Sequence, residues 1–243
     1  MIRETYTKGM VLRLASYNIH KCLGMDRRRS SDRILDVIDE VAADLVVLQE
    51  TDHRLGSRPA ALSRAEVLAR GRHQVLDHAL NGASLGWHGQ AILMRQDWHV
   101  QRTQRIVLPG LEPRGAILAE VSTGTVSLRI VGVHLGLIRR YRLMQLAAIR
   151  AALSRHSPMP TVIAGDYNEW SPRNGTAPLH GDFHVHVPGR TYPALRPVGR
   201  LDRFAVGLGA HLVDAGVHVS ALSRVASDHL PVWAEIRLAD GAG

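Results

Sequence analysis

The sequence predicts an α/β protein built around buried strands, and three observations support this fold class. The chain opens with a strand, an amphipathic helix and a second strand over residues 11–50. Short apolar runs then follow one another across residues 90–134, separated by turn signals, which is typical of antiparallel strands. A second amphipathic helix at 138–156 leads into another apolar run at 160–164. The two strand-rich halves could therefore form two packed sheets.

The opening unit gives the clearest prediction of secondary structure. Residues 11–18 form a largely apolar run that ends in the polar Asn18, as expected of a strand that leaves the core. Residues 32–43 carry apolar side chains at the three-and-four spacing of a helix, and Ser30 or Ser31 can cap its start. Residues 44–50 are almost wholly apolar until their last positions and predict a short buried strand.

The rest of the chain predicts one more long helix, one short helix and a series of strands. In the helix at 138–156 we expect many arginines to face solvent and an apolar set to face inward, namely Tyr141, Leu143, Leu146, Ile149 and Leu153. Residues 170–197 are rich in Pro and Gly and predict a long loop. The remaining predicted elements are a helix at 63–70 and strands at 90–94, 100–107, 116–121, 126–134, 160–164, 201–207, 211–219 and 231–238.

Length and composition narrow the class of protein. The 243 residues are 45% hydrophobic, enough for one domain with a substantial core. No stretch approaches the roughly 18 consecutive apolar residues that span a bilayer, and residues 1–6 lack the apolar centre of a signal peptide. We therefore expect a cytoplasmic enzyme. Cys22 is the only cysteine, so any metal must be held by oxygen or imidazole ligands rather than by a thiolate cage.

The net charge of +8 and the pI of about 10.5 favour polyanionic partners such as nucleic acid or anionic lipid headgroups. Nearly every basic residue is arginine, however, and Lys8 and Lys21 are the only lysines. Because genomic base composition produces the same skew, the charge alone does not decide between a functional and a compositional origin. Nothing in the sequence indicates an obligate protein partner.

A carboxylate and a carboxamide follow the apolar run at 160–164. If the segment stays extended, alternation sends Asp166 and Asn168 to the same side, where both could serve one small polar ligand. The acid could position a water or accept a proton, while the amide donates to a charged oxygen. The alternative is an Asx turn, because both residue types favour turns through local hydrogen bonds.

Glu50 ends the strand at 44–50, where a charge persists only beside water, a partner or a cation. Mg²⁺ prefers oxygen ligands, keeps several waters and typically takes one or two protein carboxylates. The sequence therefore predicts a Mg²⁺ or Mn²⁺ site at Glu50, with a solvated acid at a strand end as the alternative.

An acid and a histidine stand together in Ser227-Asp228-His229-Leu230-Pro231, just before the last predicted strand. Histidine exchanges protons near neutral pH, and a carboxylate can fix its tautomer. Asp202, an acid within an otherwise apolar strand, could supply that carboxylate. We predict a catalytic role for His229, against the alternative of a structural histidine.

Six motifs together resemble the endonuclease/exonuclease/phosphatase superfamily, a DNase I-like group, and the chain is similar to its short bacterial members. In order they are Ser16-Tyr17-Asn18, Leu48-Gln49-Glu50, Gly132-Val133-His134-Leu135, Gly165-Asp166-Tyr167-Asn168, Leu201-Asp202-Arg203-Phe204 and Ser227-Asp228-His229-Leu230-Pro231. The resemblance implies a four-layer α/β sandwich, with two mixed, mostly antiparallel sheets packed face to face and helices outside. We expect this single domain at residues 11–239, and residues 1–10 as a flexible N-terminal extension.

The resemblance also implies a role for each matching residue. Glu50 would be the main metal ligand, assisted by Asn18, with Asp228 near or on the metal. Asp166 would orient or deprotonate the attacking water, and Asn168 would hold the scissile phosphate. The remaining implied roles are phosphate contacts from His134, Arg114 and His20, and charge stabilisation or proton exchange by His229, which Asp202 steadies. For Arg114 an ordinary surface arginine is the alternative.

Three residues depart from the family pattern and bear on substrate selection. His20 stands where several DNA-repair members carry Asp or Asn, which weakens any claim to a specific repair activity. In the segment around Trp87, Gln90 replaces the usual Asn and His88 replaces a common tyrosine.

The leading functional hypothesis is a metal-dependent hydrolase of phosphodiester bonds, most plausibly a DNA or RNA nuclease. Phosphoryl transfer requires in-line positioning and neutralisation of developing negative charge, which a divalent metal, imidazole and amide donors supply. One alternative is a phospholipid or small-molecule phosphoesterase, for which Trp170 could make an apolar contact. The other is a catalytically silent nucleic-acid-binding module on the same fold.

Overall fold

The computed structural model describes residues 9–53, 59–171 and 174–238, and these form two six-stranded sheets packed face to face with helices on the outer faces. The predicted four-layer α/β sandwich is confirmed. Most of the predicted N-terminal extension, and the last residue of the predicted domain, lie outside the described residues.

The first sheet contains the opening strand–helix–strand unit. Its strand order is β11-β12-β1-β2-β4-β3, and only β1 and β2 are parallel. A parallel pair needs a crossover, which α1 provides on the outer face. The bounds are β1 Val11–Asn18, α1 Ser31–Val41, β2 Leu45–Gln49, α2 Arg64–Ala69, β3 His73–Val75, β4 Gln90–Arg95, β11 Ala210–Val217, α4 Ser223–Ala226 and β12 Val232–Leu238.

The second sheet repeats this arrangement with other parts of the chain. Its order is β5-β6-β7-β8-β10-β9, and its only parallel pair, β7 and β8, is connected by the helix α3. The bounds are β5 His99–Val107, β6 Gly115–Ser122, β7 Ser127–His134, α3 Arg139–Leu153, β8 Thr161–Asp166, β9 Phe183–His186 and β10 Asp202–Gly207.

Strand alternation divides the core into three layers of apolar side chains. Leu14 of β1 and Ala164 of β8 lie between the two sheets, whereas Ala15 faces the helix α1 and Ile163 faces α3. Because both faces of the central strands are buried, those strands read as nearly continuous apolar runs.

Most predicted elements are present, and the differences have local causes. The short elements β3, β9 and α4 were not predicted, because three or four residues give too little periodicity to recognise. In α3, Leu146, Ile149 and Leu153 are buried as predicted, but Tyr141 and Leu143 are half-buried. Arg139, Arg140 and Arg150 of this helix are exposed as predicted, whereas Arg142 is buried in an ion pair.

Across the described ranges, the helices are too short or too polar to cross a membrane.

Candidate active site

The two parallel strand pairs end at the same edge of the sandwich, and a cleft of about 570 Å³ lies between their exits. In the first sheet Asn18 pairs in register with Gln49, the residue before Glu50. In the second sheet His134 pairs in register with Asp166. The cleft lining includes every predicted site residue except His20 and Asp202. Residues from distant parts of the chain therefore meet because two similar strand pairs are packed face to face.

Asp166 lies at the centre of the polar contacts in the cleft. One carboxylate oxygen, Oδ2, accepts a hydrogen bond from Asn18 Nδ2 at 3.2 Å. The same oxygen is 3.5 Å from His134 Nε2 and 3.8 Å from His229 Nε2. Asp166 is 1% exposed, and a buried carboxylate needs polar partners of this kind.

The structure shows the Asx turn at the Asp166–Asn168 segment, and both residues line the cleft. Asp166 Oδ1 accepts a hydrogen bond from the backbone N–H of Asn168 at 2.8 Å, which is an Asx turn, while Oδ2 faces the cleft. The premise of an extended segment is wrong, because Asn168 has a φ of 50°. Its side-chain Nδ2 donates to the Leu135 carbonyl at 2.8 Å. An amide nitrogen carries two N–H groups, so a second donor of Asn168 is available in the cleft.

His229 is held by a buried carboxylate behind it. Its Nδ1 lies 3.0 Å from Asp202 Oδ2, which also accepts a hydrogen bond from Thr191 Oγ1 at 2.6 Å. Burial by itself lowers the pKa of His229, but the charge and hydrogen bond of Asp202, together with Asp166, outweigh burial and raise the pKa to about 9. His229 is therefore protonated at neutral pH, with Nε2 aimed at the cleft.

His134 has the opposite protonation state. Its side chain is buried, and burial lowers its pKa to about 3 despite the charge of Asp166. The cleft thus presents one neutral and one charged imidazole to the same carboxylate. Pairs of titratable groups whose pKa values are pushed apart are a common feature of acid–base sites.

Glu50 forms the first-sheet wall of the cleft. It has a φ of 55°, which turns the chain immediately after β2. The ammonium of Lys21 forms an ion pair with its carboxylate, and the Lys21 N–H donates to the Glu50 carbonyl at 2.9 Å. The carboxylate that the sequence predicts as the main metal ligand therefore already attracts a cation.

The donor set around Glu50 fits a hydrated divalent ion better than a closed protein cage. Within the described part of the chain, no three His, Cys, Asp or Glu side chains cluster closely enough to enclose a metal. Glu50, Asn18 and Asp228 nevertheless line one cleft, and Mg²⁺ usually takes one or two carboxylates and keeps waters for its other positions. The residues present fit magnesium or manganese on this basis.

Asp228 and His20 lie at the first-sheet end of the site. Asp228 lines the cleft, and its Oδ1 is 3.8 Å from His20 Nδ1. That ring nitrogen also lies 3.1 Å from the Leu23 carbonyl. His20 therefore contacts the backbone and Asp228 instead of lining the cleft, which does not support the predicted phosphate contact.

Arg114 lines the cleft from the loop before β6. Its Nε and Nη2 atoms donate to Glu112 Oε2 at 3.0 and 2.7 Å. This pairing fixes the guanidinium beside His134 and the cleft, as the phosphate-contact hypothesis requires. Gln90, in contrast, is fully buried and donates to the Gly115 carbonyl, whereas His88 lines the cleft.

Two buried arginines that the sequence analysis missed support the loop after Asp166. Arg142 Nη2 pairs with Glu169 Oε2 at 2.9 Å, and Arg142 Nη1 donates to the Leu137 carbonyl at 2.6 Å. Arg203 donates to the carbonyls of Glu169 and Ser171, both at 2.6 Å. For Arg203 the sequence did contain a signal, because this arginine stands inside the apolar strand that contains Asp202.

The fold and the cleft together define a two-sheet α/β sandwich with an acid–imidazole site at one edge. The chain belongs to the endonuclease/exonuclease/phosphatase family, whose model matches residues 15–229. The resemblance predicted from the six motifs is thereby confirmed. Members of this family are generally phosphoesterase hydrolases. A search of curated proteins gave no match.

Several solved structures share the fold. The endonuclease/exonuclease/phosphatase from Beutenbergia cavernae has a TM-score of 0.67 and 22% identity, covering 94% of this chain and 72% of that one. The human Nocturnin catalytic domain with bound sulfate has a TM-score of 0.71 and 17% identity, covering 96% and 97%. D. rerio TDP2 complexed with a single-strand DNA product has a TM-score of 0.68 and 17% identity, covering 93% and 98%.

Proposed function

We propose that this protein is a divalent-metal-dependent phosphodiesterase that hydrolyses its substrate by attack of an activated water. The observation that carries the proposal is the placement of Asp166 Oδ2 among Asn18, His134 and His229, in the same cleft as Glu50. An acid, two imidazoles of opposite protonation state and a cation-binding carboxylate are the groups that phosphoryl transfer requires.

The reaction begins with Asp166, which orients a water and accepts its proton as the oxygen attacks phosphorus. The bond from phosphorus to the leaving oxygen then breaks, and the leaving group departs with the bonding electron pair. Protonated His229 donates a hydrogen bond to the phosphoryl oxygens as their negative charge grows. Asp202 keeps that imidazole protonated and fixes its orientation.

The other cleft residues position the phosphate. Asn168 contributes its free amide N–H, and neutral His134 offers a hydrogen bond without adding charge. Arg114 contributes a fixed positive charge. Glu50, Asn18 and Asp228 would hold the metal, which when bound supplies Lewis-acid stabilisation of the phosphoryl oxygens. Family enzymes typically use divalent ions.

Nucleic acid is the substrate that the sequence predicts, and it stays a proposal. The net charge of +8 and the DNA product bound by the zebrafish relative TDP2 support it. The predicted cytoplasmic location and the single-domain organisation likewise stay predictions.

Hydrolysis of bis-p-nitrophenyl phosphate, with and without Mg²⁺ or Mn²⁺, tests the chemistry without assuming a natural substrate. We expect metal-dependent release of nitrophenol that Asp166→Asn and Glu50→Gln both abolish. His184→Gln, an exposed histidine on β9, is the matched control and should keep full activity. Wild-type protein without activity under any divalent ion would support the silent binding module instead. Nicking of supercoiled plasmid then tests the nucleic-acid substrate.

A further inference from the structure

A second pocket, of about 320 Å³, lies beside the edge of the second sheet. Its lining includes Thr176 and His180, which stand on either side of a short helical turn at Ala177–Leu179. Phe183 of β9 and Arg203 of β10 also line it. Among the described residues, the pocket and the cleft have no lining residue in common. The pocket is therefore a separate candidate site.

Strand alternation brings Arg203 to the outer face of the second sheet. Along β10 it faces the same side as Ala205, which packs in the apolar layer next to α3, whereas Phe204 packs between the two sheets. Arg203 is 1% exposed, so its guanidinium charge lies inside the protein. A buried charge is costly unless a group of opposite charge offsets it.

No carboxylate in the described part of the chain forms an ion pair with Arg203. Glu169 is occupied, because one of its oxygens accepts from Arg142 and the other accepts from the Ser171 N–H, both at 2.9 Å. Asp202, the preceding residue, faces the other side of β10 and contacts an imidazole of the cleft. Two buried arginines therefore lie near one acid, and one positive charge is left without a counterion.

Arg203 and Thr176 both have donors that no described residue uses. Nη2 of Arg203 donates to the carbonyls of Glu169 and Ser171, whereas Nε is buried without an acceptor and Nη1 bonds to no described residue. Thr176 is 5% exposed, and its hydroxyl does not cap the helical turn that follows it. The described lining contains no Asp or Glu. Unused donors beside an unpaired buried cation are suited to an oxyanion.

We propose that this pocket binds a small oxyanion of the phosphate type, held by the guanidinium of Arg203 and the hydroxyl of Thr176. His180, which also lines the pocket, can add an imidazole N–H. Free phosphate and the phosphate group of a larger molecule share this chemistry. The site goes beyond phosphodiester hydrolysis and does not depend on it. Its arginine also fixes the carbonyls on either side of Trp170, a residue that lines the cleft.

Crystals of the full chain soaked in selenate test the site directly. Selenate is a tetrahedral oxyanion, and its selenium is located by anomalous scattering. We expect an anomalous peak in the pocket, within hydrogen-bonding distance of Arg203 and Thr176. A peak in the cleft alone, or no peak at all, would overturn the proposal.

Isothermal titration with inorganic phosphate tests the site in solution. The Arg114→Gln protein is used throughout, because its cleft lacks the arginine that is proposed to hold phosphate there. Thr176→Val keeps the shape of the side chain but removes the hydroxyl, so it should weaken phosphate binding roughly tenfold. Thr176→Ser should restore binding. His180→Ala, at an exposed position where the core is undisturbed, should also weaken it.

Matched controls come from β5, at the other edge of the same sheet. Thr103 and His99 are exposed there, and Thr103→Val and His99→Ala should leave phosphate binding unchanged. Equal losses in the control variants would contradict the site. A selenate peak without any effect of Thr176→Val in solution would mean binding at crystal concentration only, and this result would also overturn the proposal.

Titration with AMP and adenosine identifies the source of the oxyanion. Tighter binding of AMP than of phosphate, with no binding of adenosine, would assign the pocket to the phosphate group of a larger molecule. Tighter binding of phosphate would assign it to the free anion. Adenosine binding as tightly as AMP would contradict recognition of the oxyanion. None of these measurements uses hydrolysis, so failure of the phosphodiesterase function would leave their outcome unchanged.

Discussion

The two parallel strand pairs that meet at the cleft have the same architecture but different exits. β1 ends in Asn18 and β2 is followed directly by Glu50, whereas β7 and β8 end in His134 and Asp166. The side chain of Glu50 is 15% exposed and pairs with the ammonium of Lys21. The side chain of Asp166 is 2% exposed and lies among polar groups from three other segments.

The difference in burial and partners suits the two carboxylates, Glu50 and Asp166, to different physical tasks. A carboxylate that pairs with a lysine ammonium at the cleft wall can exchange that cation for a metal ion. A carboxylate enclosed by an amide and two imidazoles keeps its geometry whatever enters, which is the preorganisation that electrostatic catalysis uses. Glu50, in the first sheet, is thus suited to exchange cations, whereas Asp166, in the second sheet, is suited to hold the reacting groups.

Asp166→Asn, at the end of β8 in the second sheet, is the variant with the largest expected effect. The amide keeps the size of the side chain but cannot accept a proton from water, so we expect kcat to fall on the order of 10³-fold. Steady-state kinetics on bis-p-nitrophenyl phosphate measures the effect, and a thermal melt checks the fold. A fall smaller than about tenfold would show that another group takes the proton.

Arg142→Met tests whether the loop after Asp166 depends on the buried ion pair between Arg142 and Glu169. The variant leaves Glu169 without its charged partner in a buried site, and we expect a loss of about 3 kcal/mol in the free energy of unfolding. Denaturant titration measures it. Arg155→Met, an exposed position beyond the same helix, should change stability by less than about 0.5 kcal/mol. Equal effects in the two variants would contradict the support role.

The pKa of His229 predicts how the reaction rate depends on pH. Since its pKa is about 9, the protonated form persists through neutral pH and is lost above it. We expect the rate to fall about tenfold per pH unit above pH 9, and His229→Gln to lack this limb of the profile.

The same pKa predicts how stability depends on pH. The folded pKa lies above the ordinary value of about 6.5, so the contacts of His229 stabilise the fold fully below that pH. This contribution is lost as pH rises through about 9. Unfolding of the wild type and His229→Gln at pH 6 and pH 10 measures the difference, which should shrink at the higher pH.

Lys21→Met tests whether the lysine ammonium competes with a metal ion for Glu50. Removing the ammonium leaves Glu50 without this competing charge, so Mg²⁺ or Mn²⁺ should bind roughly fivefold more tightly. Isothermal titration calorimetry without substrate measures the affinity, and Lys21→Arg should restore the wild-type value. Weaker metal binding in Lys21→Met would show that the lysine helps to build the metal site.

The sequence predicted the site best where residues follow buried strands. Asn18, Glu50, His134 and Asp166 were recognisable because polar residues at the end of an apolar run are informative by themselves. Asn168 lines the cleft through a left-handed backbone conformation and an Asx turn, and not through the extended backbone that the sequence predicted. Lys21 gave no signal, because a lysine after a strand is ordinary.

Local patterns of the sequence were enough to predict the fold class, most of the strands and the residue types of the candidate site, because periodicity and polar residues at strand ends are local properties. Only the tertiary structure decided which residues share a carboxylate, which imidazole carries a proton and which arginines are buried. Those properties depend on contacts such as Asn18 to Asp166 and His229 to Asp202, which span 148 and 27 residues of chain. Burial and charge at such contacts arise when the two sheets pack, and no local pattern encodes them.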